Sequence, residues 1–250
     1  MAIIGRRQLA PLIGFALSPA APASAAPQEL RAADGVTVFG DYRRSDEPRR
    51  RGTILLFHMA GSNRGEYATI APELTRRGFD TLAIDQRSGG AGWGLRNETA
   101  SRLPRDPGFL PALADLEAAF AWAKGWDPNG RLILWGSSYS AALVFLLAAA
   151  TRDRVTAILA FSPGEYLAGQ SVRGAAARVT SPTFVASDAD ALEEASAAVL
   201  LAAVRGAPKR QFRPTNGAHG SSILRSDRNP RGAAVAWGAV SAFLDEVAPP

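Results

Sequence analysis

The sequence holds no cysteine in its 250 residues. That absence removes disulfides, thiolate catalysis and cysteine-ligated zinc together. Histidine is nearly as scarce, with two residues, His58 and His219. A histidine-rich metal cluster is therefore excluded, and any reaction needing an imidazole base must draw it from one of these two. Nothing in the sequence calls for a metal or another cofactor. A long apolar run is missing as well. Leu9 to Leu17 is mostly apolar but short, and Pro11 and Pro19 break it, so no stable membrane anchor is expected. Nor is there a strong excess of one charge. Lys and Arg number 28 against 23 Asp and Glu, a formal charge of +5. The arginines are scattered, densest at Arg43, Arg44 and Arg49 to Arg51, and are not interleaved with aromatics. No nucleic-acid partner is expected, and the Arg49–Arg51 run reads as a solvated turn.

What is present is core material. Apolar residues make up 47% of the chain and charged ones 20%, ordinary values for a globular protein. The length suits one α/β domain with a large buried core. Residues 1–25 read as an export signal. Arg6-Arg7 precede the short apolar stretch, and Ala23-Ser24-Ala25 closes it with a small-x-small pattern. The paired arginines followed by Gln8 and Leu9 also resemble a twin-arginine signal. A periplasmic or extracellular protein is expected, the alternative being a disordered leader on a cytoplasmic one. Residues 26–250 are then the folded domain.

Past Pro27 the pattern becomes regular. Val36 to Tyr42 alternates apolar and polar residues, as in a half-exposed strand. Short continuous apolar runs at 53–57, 79–84, 131–135, 155–161 and 182–186 predict strands buried on both faces, with a further short strand at 209–213. Helical spacing is found over 66–77, 109–124, 138–150, 190–204 and 231–247. Residues 86–107 lack periodicity and read as a long loop, the only candidate lid. Strands alternating with helices predict a mostly parallel sheet covered on both faces.

Gly136-Ser137-Ser138-Tyr139-Ser140 lies between a predicted buried strand and an apolar helix. A sharp strand-to-helix turn that exposes a nucleophilic serine needs small residues two before and two after it. Gly136 meets the first requirement. Ser140 departs from glycine at the second but is small. Ser138 would then stand at the head of a helix, where free N–H groups favour developing negative charge. A plain helix-capping serine is the alternative, and Ser137 and Ser140 are rivals that are not centred between the small residues. His219, in Asn216-Gly217-Ala218-His219-Gly220-Ser221, is late and glycine-flanked, which suits a general base. The acid is expected after the strand 182–186, with Asp190 first and Asp188 second, and Glu165, after the preceding strand, is a third candidate. Either aspartate has an alternative as a helix cap. His58 follows the strand 53–57 and opens Met59-Ala60-Gly61-Ser62. That loop resembles one supplying an oxyanion donor, the N–H of Ala60 or of Met59, to be paired with that of Tyr139. His58 itself is expected to position the loop, the rival role being that of the base.

Together these segments resemble the α/β-hydrolase superfamily, and within it the small cap-less group similar to dienelactone hydrolases. The resemblance covers roughly residues 34–247. It is carried by His58-Met59-Ala60-Gly61-Ser62, Asp85-Gln86-Arg87-Ser88-Gly89-Gly90, Gly136 to Ser140, Ser162-Pro163-Gly164-Glu165-Tyr166 and His219-Gly220. It implies an α/β-hydrolase fold with about eight mostly parallel strands, helices on both faces and no large cap. It also implies hydrolysis through an acyl-enzyme, with Ser138 as nucleophile, Asp190 as acid and His219 as base. Two departures stand out. Met59 replaces the glycine expected after His58. Dienelactone hydrolases use a cysteine nucleophile, which this chain lacks, so dienelactone specificity is not implied.

A small-molecule carboxylic ester is the expected substrate. A peptidase using the same triad and a non-catalytic protein keeping the fold are the alternatives. Arg87, Trp93 and Asn97, in the loop after the strand 79–84, are candidates for the substrate pocket, Arg87 suiting a carboxylate-bearing ester. The alternative for Arg87 is a residue that stabilises its loop. The sequence sets no oligomeric state.

Overall fold

The computed structural model describes residues 24–45 and 47–250. The expected export signal therefore falls almost wholly outside the described residues. The chain builds one eight-stranded sheet, in the order β1-β2-β4-β3-β5-β6-β7-β8. In chain order the strands are β1 (Ala26–Arg31), β2 (Thr37–Arg43), β3 (Gly52–Phe57), β4 (Phe79–Ile84), β5 (Leu132–Ser137), β6 (Ala157–Phe161), β7 (Thr183–Ala186) and β8 (Lys209–Phe212). β1 and β2 form an antiparallel hairpin, β2 pairs antiparallel with β4, and the other neighbours pair in parallel.

β3, β4 and β5 are buried at every residue, as expected of parallel strands covered on both faces. Alternate side chains feed two core layers. Leu55, Phe57, Leu82, Ile84 and Leu134 point to one face, against α2 (Leu113–Trp126), α3 (Tyr139–Thr151), α4 (Val172–Ala176) and α5 (Ala191–Ala203). Ile54, Leu56, Phe79, Ile133, Trp135, Leu159 and Phe161 point to the other, under α1 (Ile70–Arg76) and α6 (Ala233–Val247). The stacked Trp135 and Phe161 rings, 4.5 Å apart, continue to Phe184 and Phe243 and fix α6 on the sheet. No helix among the described residues is long and apolar enough to cross a membrane.

Most expected elements appear within a residue or two of their predicted bounds. The helix expected over 66–77 is split into a 3-10 turn at Arg64–Tyr67 and α1. Two elements had no sequence signal. β1 is an edge strand with a mostly exposed, non-alternating sequence, held by pairing with β2. α4 is five residues long and capped by the Ser171 hydroxyl.

The sheet order places the site. From β3 the chain steps outward to β4 and then returns to β5 on the other side of β3. The carboxyl ends of β3 and β5 thus flank a topological switch point, where open α/β sheets form a crevice. The segments after those two ends are Met59–Ser62 and Ser138.

Candidate active site

Ser138 sits at the sharp turn between β5 and α3 with φ 58° and ψ −122°, a backbone conformation that L-residues rarely adopt. Its N–H donates to Phe161 O at 2.8 Å, and its carbonyl accepts from Ala141 N at 2.8 Å, so both sides of the turn are anchored. A Cβ at Gly136 would lie 2.5 Å from Ser140 O and 2.6 Å from Ala141 N, which explains the small residue there. Ser140 is small but not passive. Its hydroxyl donates to His58 O at 2.6 Å and accepts from Gln86 Nε2 at 2.6 Å. The departure from glycine therefore ties the head of α3 to the loop after β3.

His219 Nε2 lies 2.8 Å from Ser138 Oγ, and His219 Nδ1 lies 2.7 Å from Glu193 Oε1. An ionised carboxylate only accepts hydrogen bonds. The Nδ1 proton therefore faces Glu193, and Nε2 is left to accept the serine proton. Burial raises the pKa of Glu193, but hydrogen bonds from His219, Ser162 and the Asp188 N–H, with the nearby imidazole, outweigh it and hold the carboxyl below 4.5. The turn carrying His219 is pinned underneath, where Gly220 N donates to Ser162 Oγ at 2.9 Å and Ser221 N to Ser137 Oγ at 2.9 Å. Gly220 has φ 65°, and a Cβ there would come within 2.3 Å of Ser137 Oγ. Ser137 and Ser140 thus serve as buried supports on either side of Ser138.

The carboxylate beside His219 is not one of the three expected from the sequence. Asp190 caps α5, its Oδ1 accepting from Leu192 N at 3.0 Å and Glu193 N at 3.1 Å. Asp188 Oδ1 accepts from Ala189 N at 2.7 Å, and the two Glu165 oxygens accept from Val172 N and Arg173 N at 2.8 Å. All three do the ordinary loop and helix-end work of carboxylates. Glu193 stands in the first turn of α5, three residues after the cap. Asp190 and Glu193 have the spacing of a capping box, whose glutamate normally turns back on its own helix end. Here Glu193 Oε2 accepts from Asp188 N at 3.1 Å while Oε1 meets the imidazole. That spacing points to a helix-capping role, so nothing in the sequence singles out Glu193 as the partner of His219.

The loop after β3 is held from two sides. His58 is fully buried, and burial pushes its pKa down to about 4, so the ring is neutral near neutral pH. Its Nε2 accepts from Gln86 N at 2.9 Å, which puts the proton on Nδ1, donated to Met59 O at 2.7 Å. His58 is thus a loop anchor and stands apart from the Ser138–His219 pair. Met59 N donates to Glu66 Oε2 at 2.8 Å. Ala60 is exposed, and its N–H donates to no protein group among the described residues. The N–H of Tyr139 opens α3, where a helix has no internal acceptor.

The expected pocket residues turn inward instead. The Arg87 guanidinium is buried between Asp34 and Asp115, bonded to Asp115 Oδ1 at 2.7 and 2.9 Å and to both Asp34 oxygens. Four of its five N–H groups are engaged in this way, and the side chain is buried between two carboxylates that already balance its charge, so Arg87 is a loop-stabilising residue. Asn97 is buried, donating to Gln86 O at 2.9 Å and accepting from Ala100 N at 2.7 Å, so it too braces the loop. Trp93 donates its indole N–H to Ser62 Oγ at 2.8 Å, and Arg225 and Arg228 cover its ring at 4.2 and 4.8 Å. The 86–107 segment is therefore a braced loop, and the sheet carries no cap domain.

A serine held at a strained strand-to-helix turn, an imidazole against it and a carboxylate behind, on an eight-stranded mostly parallel sheet, define a serine hydrolase of the cap-less α/β-hydrolase fold. The chain belongs to the family described as serine aminopeptidase, S33, which it matches over residues 48–214. Among solved structures it is similar to an esterase of Pyrococcus furiosus, at 18% identity and TM-score 0.69 over 90% of this chain and 93% of that one. It is similar to a dienelactone hydrolase of Anabaena variabilis, at 17% identity and TM-score 0.71 over 91% and 100% of the two chains. A serine hydrolase without lid from Xanthomonas campestris matches at 16% identity and TM-score 0.65, over 93% and 99%. A search of curated proteins finds no match to the chain.

Proposed function

We propose that the chain is an esterase that cleaves a small-molecule carboxylic ester through a Ser138–His219–Glu193 triad. The observation that carries this reading is the continuous relay from Glu193 Oε1 through His219 to Ser138 Oγ, with links of 2.7 and 2.8 Å. Ser138 Oγ attacks the ester carbonyl while His219 Nε2 takes its proton. The tetrahedral oxyanion is held by the N–H groups of Tyr139 and Ala60. Glu193 keeps the imidazole in the required tautomer and stabilises the imidazolium. His219 then gives its proton to the departing alkoxide, leaving the acyl group on Ser138. A water, deprotonated by His219, attacks that ester, and the carboxylic acid leaves as Ser138 is restored. Glu193 takes the place that the resemblance gave to Asp190, with the chain order of serine, acid and histidine unchanged.

The open, cap-less site and the esterase among its structural neighbours support an ester over a peptide. The family description and a likeness to an acylaminoacyl peptidase of Pyrococcus horikoshii favour the second reading, a peptidase. That match has 14% identity and TM-score 0.67 and covers 92% of this chain but 42% of the other. Export of the protein, guided by the segment around Arg6-Arg7, is part of the same proposal. The test is labelling with a fluorophosphonate probe beside Ser138→Ala, followed by p-nitrophenyl esters of rising acyl length and peptide p-nitroanilides. Labelling and ester turnover that vanish in Ser138→Ala are expected. An unlabelled folded wild type overturns the enzyme, labelling that survives Ser138→Ala overturns the nucleophile, and anilide cleavage without ester cleavage overturns the substrate class.

A further inference from the structure

Glu66 is a fully buried carboxylate that the proposed chemistry does not use. It lies in the 3-10 turn Arg64–Tyr67. Its Oε2 accepts from Met59 N at 2.8 Å and from Ser62 Oγ at 3.3 Å. Ser62 Oγ in turn accepts the Trp93 indole N–H at 2.8 Å. Arg225 Nη1 donates to the backbone carbonyl of Glu66 at 3.0 Å, and the same guanidinium covers Trp93. The other oxygen, Oε1, would lie 3.9 Å from a Cβ on Gly220, and the Ser137 hydroxyl is a further hydrogen-bond partner of the carboxyl. One buried carboxyl thus holds the loop after β3 directly, is linked to the loop after β4 through Ser62, and lies beside the turn after His219. Burying a carboxyl is costly, so a side chain needed only to fill that space would be apolar.

The bonds around Met59 show what Glu66 does there. A trans peptide points its C=O and its N–H in opposite directions. His58 Nδ1 holds Met59 O, so the Ala60 N–H in the same peptide points away from the His58 ring. Glu66 holds the preceding peptide by the Met59 N–H. The backbone bonds made by the N–H groups that follow are long, Ser62 N to Met59 O at 3.3 Å and Gly61 N to Ser88 O at 3.4 Å, whereas the bonds that hold the two peptides around Met59 are 2.7 and 2.8 Å. Because Met59 N–H is engaged by Glu66, it is not available to an oxyanion.

We propose that Glu66 is a positioning residue for the oxyanion hole. By accepting the Met59 N–H it fixes the loop so that the Ala60 N–H, and not that of Met59, faces the oxygen that becomes charged at Ser138. This rests on the Ser138 esterase reading above.

The test uses the full chain with Glu66→Asp and Glu66→Gln, p-nitrophenyl ester kinetics, and the affinity of a boronic acid that adds to the serine as a tetrahedral mimic. The aspartate keeps the charge but is one methylene short of Met59 N. It is expected to lower kcat about 10²-fold, the scale of a misplacement of roughly 1 Å, with KM unchanged. Boronate affinity is expected to fall in parallel. The glutamine keeps an acceptor oxygen at the same reach and is expected to recover most of kcat. Wild-type kcat in Glu66→Asp, or a loss that appears in KM alone, overturns the proposal. A glutamine variant as impaired as the aspartate overturns it in favour of a need for charge. Should Glu66→Asp not fold, Ser62→Ala removes one of the two bonds to Oε2. It is expected to cost kcat about threefold to tenfold, the worth of one hydrogen bond, and wild-type kcat there overturns the proposal. Wild type that neither labels with fluorophosphonate nor turns over esters defeats the esterase reading and this proposal together. Active wild type with unaffected variants defeats the positioning role alone.

Discussion

Replacing Glu193 with glutamine separates the carboxylate that meets His219 from the one that caps the helix beside it. When Ser138 loses its proton, His219 becomes an imidazolium 2.7 Å from Glu193 Oε1. Two unit charges about 4 Å apart at an effective dielectric of about 20 attract by about 4 kcal/mol. The side chains are 26% and 40% exposed, so solvent screens the pair and roughly half of that, about 2 kcal/mol, is a fair expectation. At about 1.4 kcal/mol per decade this term alone lowers kcat about 30-fold. The glutamine can also present its NH2 to Nδ1, which favours the tautomer with the proton on Nε2 and leaves Ser138 without a base. The same exchange in serine proteases costs about 10⁴. Glu193→Gln is therefore expected to lower kcat between about 30-fold and 10⁴-fold with little change in KM. Asp190→Ala is the control, expected to cost about 1 kcal/mol in urea unfolding through the lost cap and to leave kcat near wild type. Steady-state kinetics and urea titration of both variants read out the two effects. Wild-type kcat in Glu193→Gln together with a collapse in Asp190→Ala or Asp188→Ala would refute the reasoning.

Three further outcomes are expected. His58 has a folded-state pKa of about 4 against 6.5 unfolded. The unfolded chain therefore binds the extra proton between those values, and stability is lost as pH falls below 6.5, by about 2 kcal/mol at pH 5. Urea unfolding at pH 7 and pH 5 measures this, and a flat profile over that range contradicts a buried neutral His58. Arg87→Ala leaves Asp115 buried without its partner and is expected to destabilise by about 3–5 kcal/mol with KM unchanged. A raised KM for carboxylate-bearing esters without loss of stability restores Arg87 to the substrate pocket. Gly136→Ala forces a Cβ to 2.5 Å from Ser140 O. It is expected to displace Ser138 by a fraction of an ångström and lower kcat about 10-fold to 10²-fold, and a crystal structure with an unmoved turn at full activity argues against that constraint.

The sequence by itself determined the strand-helix alternation, the strained serine turn and the late histidine. Each is a local matter. Continuous apolar runs predict buried strands, small residues flank a turn that has no room for larger ones, and a glycine-flanked histidine has little reason to be core. The hairpin strand β1 was not legible, because its residues are exposed and ordered only by pairing with β2. The carboxylate that meets His219 was not legible for a related reason. Asp188, Asp190 and Glu193 lie within six residues and are chemically near-equivalent in a sequence. What separates them is where α5 begins and how the helix aims each side chain. At the cap position a carboxylate folds onto the helix's free N–H groups, while three residues later in the first turn the longer glutamate reaches across to the His219 loop. The same holds for Arg87, a plausible ligand-binding arginine until tertiary contacts supplied Asp34 and Asp115 as its partners. Sequence patterning thus selects the fold and nominates the serine and the imidazole. Which carboxylate faces the imidazole, and which peptide N–H faces the serine, is decided by contacts between segments distant in the chain.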